Sequence, residues 1–258
     1  MIKPGICSVT FRDKSPEEVI ALSVASGLKG IEWGADVHVP LGDLEHTLRV
    51  GELTRAAGLE VAGYGSYLFA FDNEGETPMP FEPILEAAIG LGAPVIRIWG
   101  GSLTMKKTDA YFETVVQRSR EAAELAATEG IQLAYEFHQN TFTERLEDAL
   151  KLLQTVDHPN LKMYWQPPHG SHLEQRLQEI DSFGDRIACV HVFHWQAAPK
   201  PPYPRLSLSE GAELWQPSLD ALAKVPGDRF ALLEFVRDNT EEQFKQDVAT
   251  LLSWIGEQ

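Results

Sequence analysis

Short apolar runs alternate along the chain with longer segments in which apolar positions recur every three or four residues. The short runs are rich in aliphatic and β-branched residues, as in buried strands, and the longer segments have the spacing of amphipathic helices. This alternation indicates repeated βα units around a parallel sheet. Eight strands are predicted, near residues 4–9, 29–33, 59–64, 94–99, 131–137, 161–166, 187–193 and 230–236.

Helix start and stop signals fall between the predicted strands. Ser15 precedes Pro16 and stands three residues before Glu18, which indicates a capping box with a first-turn proline. Thr240 stands in the same relation to Gln243. Three glycines where helices should end are expected to take left-handed backbone: Gly27, Gly58 and Gly130.

Eight βα units without a break in composition predict one α/β domain over residues 1–258, a single closed (β/α)8 TIM barrel. Active sites of such barrels form at the carboxyl ends of the strands. The segment from about 193 to 214 is too long for a simple βα connection, so it is a candidate lid, with a rigid structural wrap as the alternative. Its prolines are Pro199, Pro201, Pro202 and Pro204.

Four polar residues come at the downstream ends of the fifth to eighth predicted strands: Glu136, Gln166, His191 and Glu234. If these strands are parallel neighbours, the four side chains converge. Two carboxylates, an imidazole and an amide oxygen suit a divalent cation with positions left open for substrate oxygens. The sequence therefore favours a metal-assisted enzyme, and the structural alternative for each glutamate is a buried carboxylate paired with Arg or Lys.

Composition limits the partners and the compartment. The formal net charge of -16 repels polyanions, so no nucleic-acid or membrane-surface partner is expected. No apolar run approaches the length that spans a bilayer and no signal peptide is evident, which predicts a cytoplasmic protein. Cys7 and Cys189 lie in apolar surroundings and are expected to be reduced buried thiols.

The ordered set Glu136, Gln166, His191 and Glu234 resembles the xylose isomerase-like TIM-barrel superfamily of sugar isomerases and epimerases. The likeness extends over essentially the whole chain, including Gly30-Ile-Glu-Trp33 and Val95-Ile-Arg-Ile-Trp-Gly100. Ketose 3-epimerases and hydroxypyruvate isomerases of this superfamily typically hold one divalent metal by Glu, Asp, His and Glu from the last four strands. The resemblance thus implies one divalent ion, such as Mn, Mg, Co or Zn.

Carried over residue by residue, the resemblance assigns Glu136 and Glu234 as metal ligands that also exchange the substrate proton, and His191 as the metal histidine. His169 matches a histidine that commonly contacts substrate in the superfamily. Gln166 is the departure, because an aspartate is expected there. An amide oxygen can ligate a metal, but its lack of charge lowers the affinity.

Further candidates for substrate contact are His138, Trp99 and Glu32. Strand alternation directs His138 inward with Glu136, nearer the barrel mouth, and a satisfied structural histidine is the alternative. Trp99 lies at a strand end, where it would stack on a sugar face or plug the barrel. Glu32 also ends a strand and is a candidate substrate contact, an acceptor behind a ligand, or a member of an ion pair.

Four basic residues are candidates for binding a phosphate or carboxylate: Arg97, Lys200, Arg205 and Arg237. None of them stands in a glycine-rich phosphate loop, so a phosphorylated substrate is not predicted.

The resulting expectation is a metal-dependent isomerase or epimerase that acts on a small ketose or related hydroxycarbonyl compound through an enediolate. The partner is then a small carbohydrate, with a homo-oligomer possible. A dehydratase of a cyclic polyol is the nearest chemical alternative, because it begins with the same proton abstraction. A metal-free sugar-binding barrel and a DNA-repair endonuclease are further alternatives, the latter disfavoured by the acidic charge.

Overall fold

The protein, described by a computed structural model over residues 1–196, 198 and 203–256, is a closed barrel of eight parallel strands in sequence order. This confirms the predicted (β/α)8 fold. The strands are β1 (Ile2–Cys7), β2 (Gly30–Gly34), β3 (Glu60–Gly65), β4 (Val95–Trp99), β5 (Gln132–Glu136), β6 (Leu161–Trp165), β7 (Ile187–Val192) and β8 (Arg229–Leu233). Pairing of β1 with β8 closes the barrel, with Ile2 opposite Arg229.

Each strand is followed by a helix. The helices are α1 (Pro16–Ala25), α2 (Leu44–Ala56), α3 (Glu82–Leu91), α4 (Asp109–Thr128), α5 (Leu146–Val156), α6 (Leu173–Phe183), α7 (Ala212–Lys224) and α8 (Glu241–Ile255). Ser15 forms the predicted capping box with Glu18, and Thr240 caps α8 by accepting from the Gln243 backbone N–H. The three predicted glycines have left-handed backbone, with φ of 79° at Gly27, 78° at Gly58 and 70° at Gly130.

Two strands, β1 and β8, end more than one residue earlier than predicted. β1 ends at Cys7 because Ser8–Phe11 form a short 3-10 helix. β8 ends at Leu233, and Phe235 takes a φ of 56°, which turns the backbone away from the strand direction. Both changes of direction occur at the carboxyl end of the barrel, where they shape the candidate site.

Two apolar layers support the barrel. One lies between the sheet and the surrounding helices and includes buried Trp33, Trp165 and Trp215. The other fills the barrel interior: Ala62, Val95, Ala134, Tyr164, Cys189, Phe230 and Leu232. Buried polar side chains of β2, β4, β5 and β7 cluster at the carboxyl end. Burial of polar groups there requires that they pair with one another.

Within the segment predicted as a lid, residues 194–196 and 204–206 form an antiparallel ribbon, and the downstream part is a 3-10 helix at Leu208–Gly211 followed by the start of α7. Trp195 bridges Arg205, the Gln196 N–H donates to the Pro204 carbonyl, and the Leu206 N–H donates to the His194 carbonyl. Pro199, Pro201 and Pro202, together with Lys200, lie outside the described residues. Among the described helices, none combines the length and the apolar character needed to cross a bilayer.

Candidate active site

Five buried side chains form a closed ring of hydrogen bonds at the carboxyl end of the barrel, hereafter the polar ring. Arg97 donates from Nε to Glu32 Oε1 at 2.9 Å and from Nη1 to Glu136 Oε2. Gln166 donates from Nε2 to Glu136 Oε1 at 3.2 Å, and its Oε1 lies 3.3 Å from His191 Nδ1. His191 Nε2 lies 2.8 Å from Glu32 Oε2, which completes the ring.

The strand register explains how these residues meet. Gly65 of β3 stands opposite Arg97 of β4 and leaves the space that the Arg97–Glu32 pair occupies. A Cβ atom at Gly65 would lie 2.5 Å from Glu32 Oε1 and 2.6 Å from Arg97 Nη2. Glycine is therefore required at this position by close approach of charged side chains, although its own φ is not in the left-handed region.

Glu234 faces the polar ring from the end of β8. Its Oε2 lies 3.6 Å from His191 Nδ1, and its backbone N–H donates to the Val192 carbonyl at 3.0 Å. The turn that follows is fixed by Thr10, which accepts a hydrogen bond from the Phe235 N–H at 3.2 Å and donates to the Leu233 carbonyl at 3.3 Å. Glu234 is thus held on a defined backbone but lacks an arginine partner of its own within the described residues.

The two carboxylates that the sequence predicts to be catalytic differ in their electrostatic surroundings. Burial opposes ionisation of Glu136, but the Arg97 charge outweighs it and holds the pKa of Glu136 well below its ordinary value. Burial raises the pKa of Glu234 to about 7, with the His191 charge acting in the opposite direction and the Glu136 charge adding to the rise. Near neutral pH, Glu136 is ionised whereas Glu234 exchanges a proton readily.

His191 is held between acceptors on both sides of its ring. Burial lowers its pKa, but the neighbouring charges of Glu234 and Glu32 outweigh burial and raise the pKa well above the ordinary value. Nδ1 faces the ends of β5, β6 and β8, while Nε2 faces Glu32 on β2. A carboxylate on the far nitrogen orients a histidine that ligates a metal through the near one.

The four donor atoms predicted to hold a metal lie near the spacing that ligands of one ion require. Glu136 Oε1, Gln166 Oε1 and Glu234 Oε2 lie 3.7, 3.3 and 3.6 Å from His191 Nδ1. Ligand atoms about 2.0–2.2 Å from a common ion stand roughly 3–3.5 Å from one another. The amide oxygen of Gln166, rather than its nitrogen, faces Nδ1, so the residues present fit a divalent ion.

Cys7 is a neighbour of this set that the sequence did not single out as a ligand. One donor atom each from Cys7, His191 and Glu234 lies within 4.8 Å of the others. Burial raises the pKa of the Cys7 thiol to about 12, with the Glu32 charge adding to the rise, so the thiol is neutral without a metal. A thiolate formed on metal binding would favour a softer ion such as zinc.

A cavity of about 260 Å³, hereafter the central cavity, opens above the polar ring. Its polar lining is formed by Arg97, Glu136, Gln166 and Glu234, with Arg12 and Gln139. Its aromatic lining is formed by Tyr67, Phe71, Trp99, Phe193, Trp195 and Phe235, with His138 and His169. The cavity therefore combines an acid–base floor with flat apolar walls.

The predicted substrate contacts occupy different places around this cavity. Trp99 and His138 pack against each other on one wall, with ring centroids 4.4 Å apart. His169 stacks on Trp195 at 4.6 Å and on Tyr203 at 4.2 Å, and burial lowers the pKa of His169 to about 4. Each of these two walls offers polar ring nitrogens beside a flat face.

Glu32 lies deeper than those three residues. It is fully buried, and both of its oxygens accept hydrogen bonds within the polar ring. Glu32 therefore pairs with Arg97 and accepts from His191, as in the two alternatives to substrate contact that the sequence left open. Arg97, a candidate for anion binding in the sequence, is engaged by Glu32 and Glu136. The sequence feature that could have indicated this pairing with buried glutamates is a single arginine within an otherwise apolar strand.

Comparison of the sequence with known protein families and curated proteins agrees with the (β/α)8 barrel. The profile of the family described as xylose isomerase-like TIM barrel matches residues 20–254. A similar curated protein is a 3-dehydroshikimate dehydratase of Bacillus anthracis, 28% identical over 207 residues, which cover 76% of this chain and 71% of that protein.

Solved structures of similar fold cover nearly the whole chain. The probable 3-DHS dehydratase AsbF of Bacillus anthracis has a TM-score of 0.78 at 21% identity, covering 97% of this chain and 98% of the other. The IOLI protein with a binding zinc atom has a TM-score of 0.77 at 18% identity, covering 98% of each chain. A Mycobacterium smegmatis barrel in complex with magnesium has a TM-score of 0.72 at 13% identity, covering 99% and 97%. Together with the profile match, which confirms the resemblance in the sequence, the barrel identifies this chain as a member of the xylose isomerase-like TIM-barrel family.

Proposed function

We propose that this protein is a metal-dependent dehydratase of a cyclic β-hydroxy ketone of the 3-dehydroshikimate type. The observation that carries the proposal is the unequal pair of carboxylates at the floor of the central cavity. Arg97 keeps Glu136 ionised, whereas Glu234 has a pKa of about 7. A group with a pKa near the working pH is suited to take up and return a proton.

This inequality favours dehydration over epimerisation. Epimerisation needs a base on one face of a carbon and an acid on the other face. Running the reaction in both directions exchanges these two roles. Glu136 can act as the base but not as the acid near neutral pH, because Arg97 holds it in the ionised form. Loss of water from adjacent carbons needs only one group that removes the proton next to the carbonyl and returns it to the departing hydroxyl. Glu234 can perform both transfers.

A divalent ion held by Glu136, Gln166, His191 and Glu234 would supply Lewis-acid stabilisation of the negative charge on a substrate oxygen. The chain's own residues perform the remaining tasks. Glu32 orients His191 through Nε2, and the polar ring fixes Glu136. Glu234 removes the proton next to the carbonyl, so that electrons move toward the carbonyl oxygen. These electrons then return to form a carbon–carbon double bond while the carbon–oxygen bond to the hydroxyl breaks, and Glu234 gives the same proton to the departing hydroxyl, which leaves as water.

The walls of the central cavity suit a ring. Tyr67 stacks on Phe71 with centroids 5.5 Å apart and lies 6.4 Å from Trp99 on one side. Trp195 and His169 stack 4.6 Å apart on another part of the lining. Flat aromatic faces bury the apolar faces of a cyclic substrate, and they suit a product that has become planar by losing water. The dehydratase activity named for the Bacillus anthracis relative supports the same chemistry.

The test is turnover of 3-dehydroshikimate with Mn, Mg, Co or Zn added to chelator-treated protein, followed by ultraviolet absorbance and mass spectrometry. We expect loss of one water in the presence of metal and a decrease of roughly 100–10,000-fold in kcat for Glu234→Gln. Glu241→Gln on the exposed start of α8 makes the same chemical change and should leave kcat unaltered. Absence of water loss with all four ions would refute the proposal.

Isomerisation or epimerisation of a small ketose is the second candidate. The observation in its favour is that Glu136 and Glu234 approach one cavity from β5 and β8, as the superfamily's two proton-exchanging glutamates are expected to do. Incubation of a ketose panel in deuterated water separates the two candidates. Deuterium retained in an isomeric sugar, without loss of water, would support this alternative.

A further inference from the structure

A second cavity lies beside the central one, on the opposite side of Phe235. It has a volume of about 320 Å³ and is lined by Val9, Thr10, Arg12, Asp13, Arg205, Phe235 and Asn239. We call it the arginine cavity. Val9, Arg12 and Phe235 line both cavities. A group bound in the arginine cavity would therefore be one residue away from Glu234.

Two guanidinium groups approach the ring of Phe235. The guanidinium carbon of Arg205 lies 4.7 Å from the ring centroid, and that of Arg12 lies 5.7 Å from it. Arg205 also lies 5.8 Å from the Trp195 ring centroid. Aromatic faces hold a guanidinium in a fixed orientation without neutralising its charge. Phe235 is itself fixed by its N–H bond to Thr10.

The two arginines differ in how their charge is balanced. Arg12 donates to Asp36 at 2.6 Å and to the Val9 carbonyl at 3.3 Å, so its charge is already paired. Arg205 makes no salt bridge to a described residue, and its Nη1 donates to the neutral amide oxygen of Asn239. Residues 197 and 199–202, which the structure does not describe, include no Asp or Glu.

Burial adds to the cost of this unbalanced charge. Arg205 is half-buried, and burial lowers the pKa of its guanidinium, with the Glu234 charge acting in the opposite direction. Asp13 lines the same cavity but is exposed at its rim and forms no salt bridge to Arg205. In a chain with 38 acidic and 22 basic side chains, a half-buried arginine without a carboxylate is available for an anion supplied by a ligand.

We infer that the arginine cavity binds an oxyanion of the substrate, a carboxylate or a phosphate ester, through the Nε–Nη2 edge of Arg205. Asn239 accepts from Nη1 and no other described side chain pairs with Arg205, so that edge is available for two parallel hydrogen bonds. The substrate then extends from the acid–base floor at Glu234, past Phe235, to Arg205. This inference rests on the proposed function for the location of the reacting carbon, but the anion site itself does not depend on turnover.

Unreactive ring compounds test the site independently of catalysis. Benzoate, benzamide and phenyl phosphate would be titrated by calorimetry into full-length wild-type protein, Arg205→Met and Arg205→Lys. Arg145→Met is the matched control, because Arg145 lines a different cavity, is exposed and forms no salt bridge to a described residue. Thermal melts establish that each variant is folded.

We expect a charged probe to bind wild type and Arg145→Met equally and to lose roughly 10–100-fold in affinity in Arg205→Met, because two charge-assisted hydrogen bonds are removed. Arg205→Lys should retain part of the affinity, since it keeps the charge but not the planar edge. Benzamide should bind wild type and Arg205→Met alike. Preference for benzoate over phenyl phosphate would identify a carboxylate, and the reverse would identify a phosphate ester.

Three results would overturn the inference. They are equal binding of the charged probes to wild type and Arg205→Met, equal affinity of wild type for benzamide and for the tighter-binding charged probe, and no measurable binding of either charged probe. None of these results bears on whether Glu234 transfers a proton. Conversely, failure to dehydrate 3-dehydroshikimate leaves the dependence on Arg205 intact, so the two proposals fail separately.

Discussion

Replacing Arg97 with methionine should strongly destabilise the fold at neutral pH. Arg97, Glu32 and Glu136 are all buried, with side-chain exposures of 4%, 0% and 5%. Methionine fills much of the same volume but leaves Glu136 without its arginine and Glu32 with only His191 as a partner. Removing one partner of a buried ion pair costs about 3–5 kcal/mol. That cost is a large fraction of the roughly 5–15 kcal/mol that stabilises a typical domain.

The destabilisation should depend on pH in a defined direction. In the wild type the pKa of Glu136 lies below its ordinary value of 4.5, so its ionisation stabilises the folded state above that pH and the stabilisation is lost as the pH falls. In Arg97→Met, burial without a cation raises the pKa, so protonation relieves the cost at low pH. The difference in unfolding free energy between the two proteins should therefore shrink from pH 7 to pH 5.

Urea denaturation followed by tryptophan fluorescence measures this difference, with chelator present throughout. Arg229→Met is the matched control, because Arg229 is also buried but donates to the carbonyls of Leu222 and Pro226. The control should be destabilised by an amount that changes little between pH 5 and pH 7. A loss for Arg97→Met below about 1 kcal/mol at pH 7, or one equal at both pH values, would refute the reasoning.

Three further outcomes are expected. Because Glu234 has a raised pKa of about 7, it gives the metal-free protein stability that is fully present below its ordinary pKa of 4.5 and lost as the pH rises to about 7. Glu234→Gln should abolish that loss, about 2 kcal/mol between pH 5 and pH 7 in urea titrations, and an unchanged difference between the two pH values would count against it. Gln166→Asp should raise divalent-metal affinity at least about tenfold by calorimetry, because it adds a charged ligand; equal affinity would exclude Gln166 as a ligand. Gly65→Ala should cost roughly 1–3 kcal/mol in unfolding free energy, because its Cβ would meet Glu32 and Arg97, and wild-type stability would contradict the close packing.

The sequence allowed the barrel to be predicted because its information is local. Strand and helix periodicities, the Ser15 capping box and the glycines at helix ends each depend on a few neighbouring residues. The convergence of Glu136, Gln166, His191 and Glu234 then follows from the topology, since all four come at the same end of a parallel barrel. The early ends of β1 and β8 did not follow from the pattern, because apolar residues continue past each turn.

The partners of the site residues could not be predicted in this way. Glu32 and His191 are separated by 159 positions along the chain, and no local pattern relates them. The Arg97–Glu136 pair depends on side-chain orientation and on the space left at Gly65. The sequence indicated that Arg97 could bind an anion, but not that the anions are side chains of the protein itself.

The closed form of the polar ring limits how the site can change. Gln166 can take part because one amide both donates to Glu136 and accepts toward His191. An aspartate there would only accept near neutral pH, and it would place a second negative charge beside Glu136. A change at residue 166 therefore alters which residues are tolerated on the neighbouring strands. Among members of this family, the effect of a substitution at one position of the polar ring should depend on the residues at the other positions. A residue that is harmless in one relative should therefore be damaging in another.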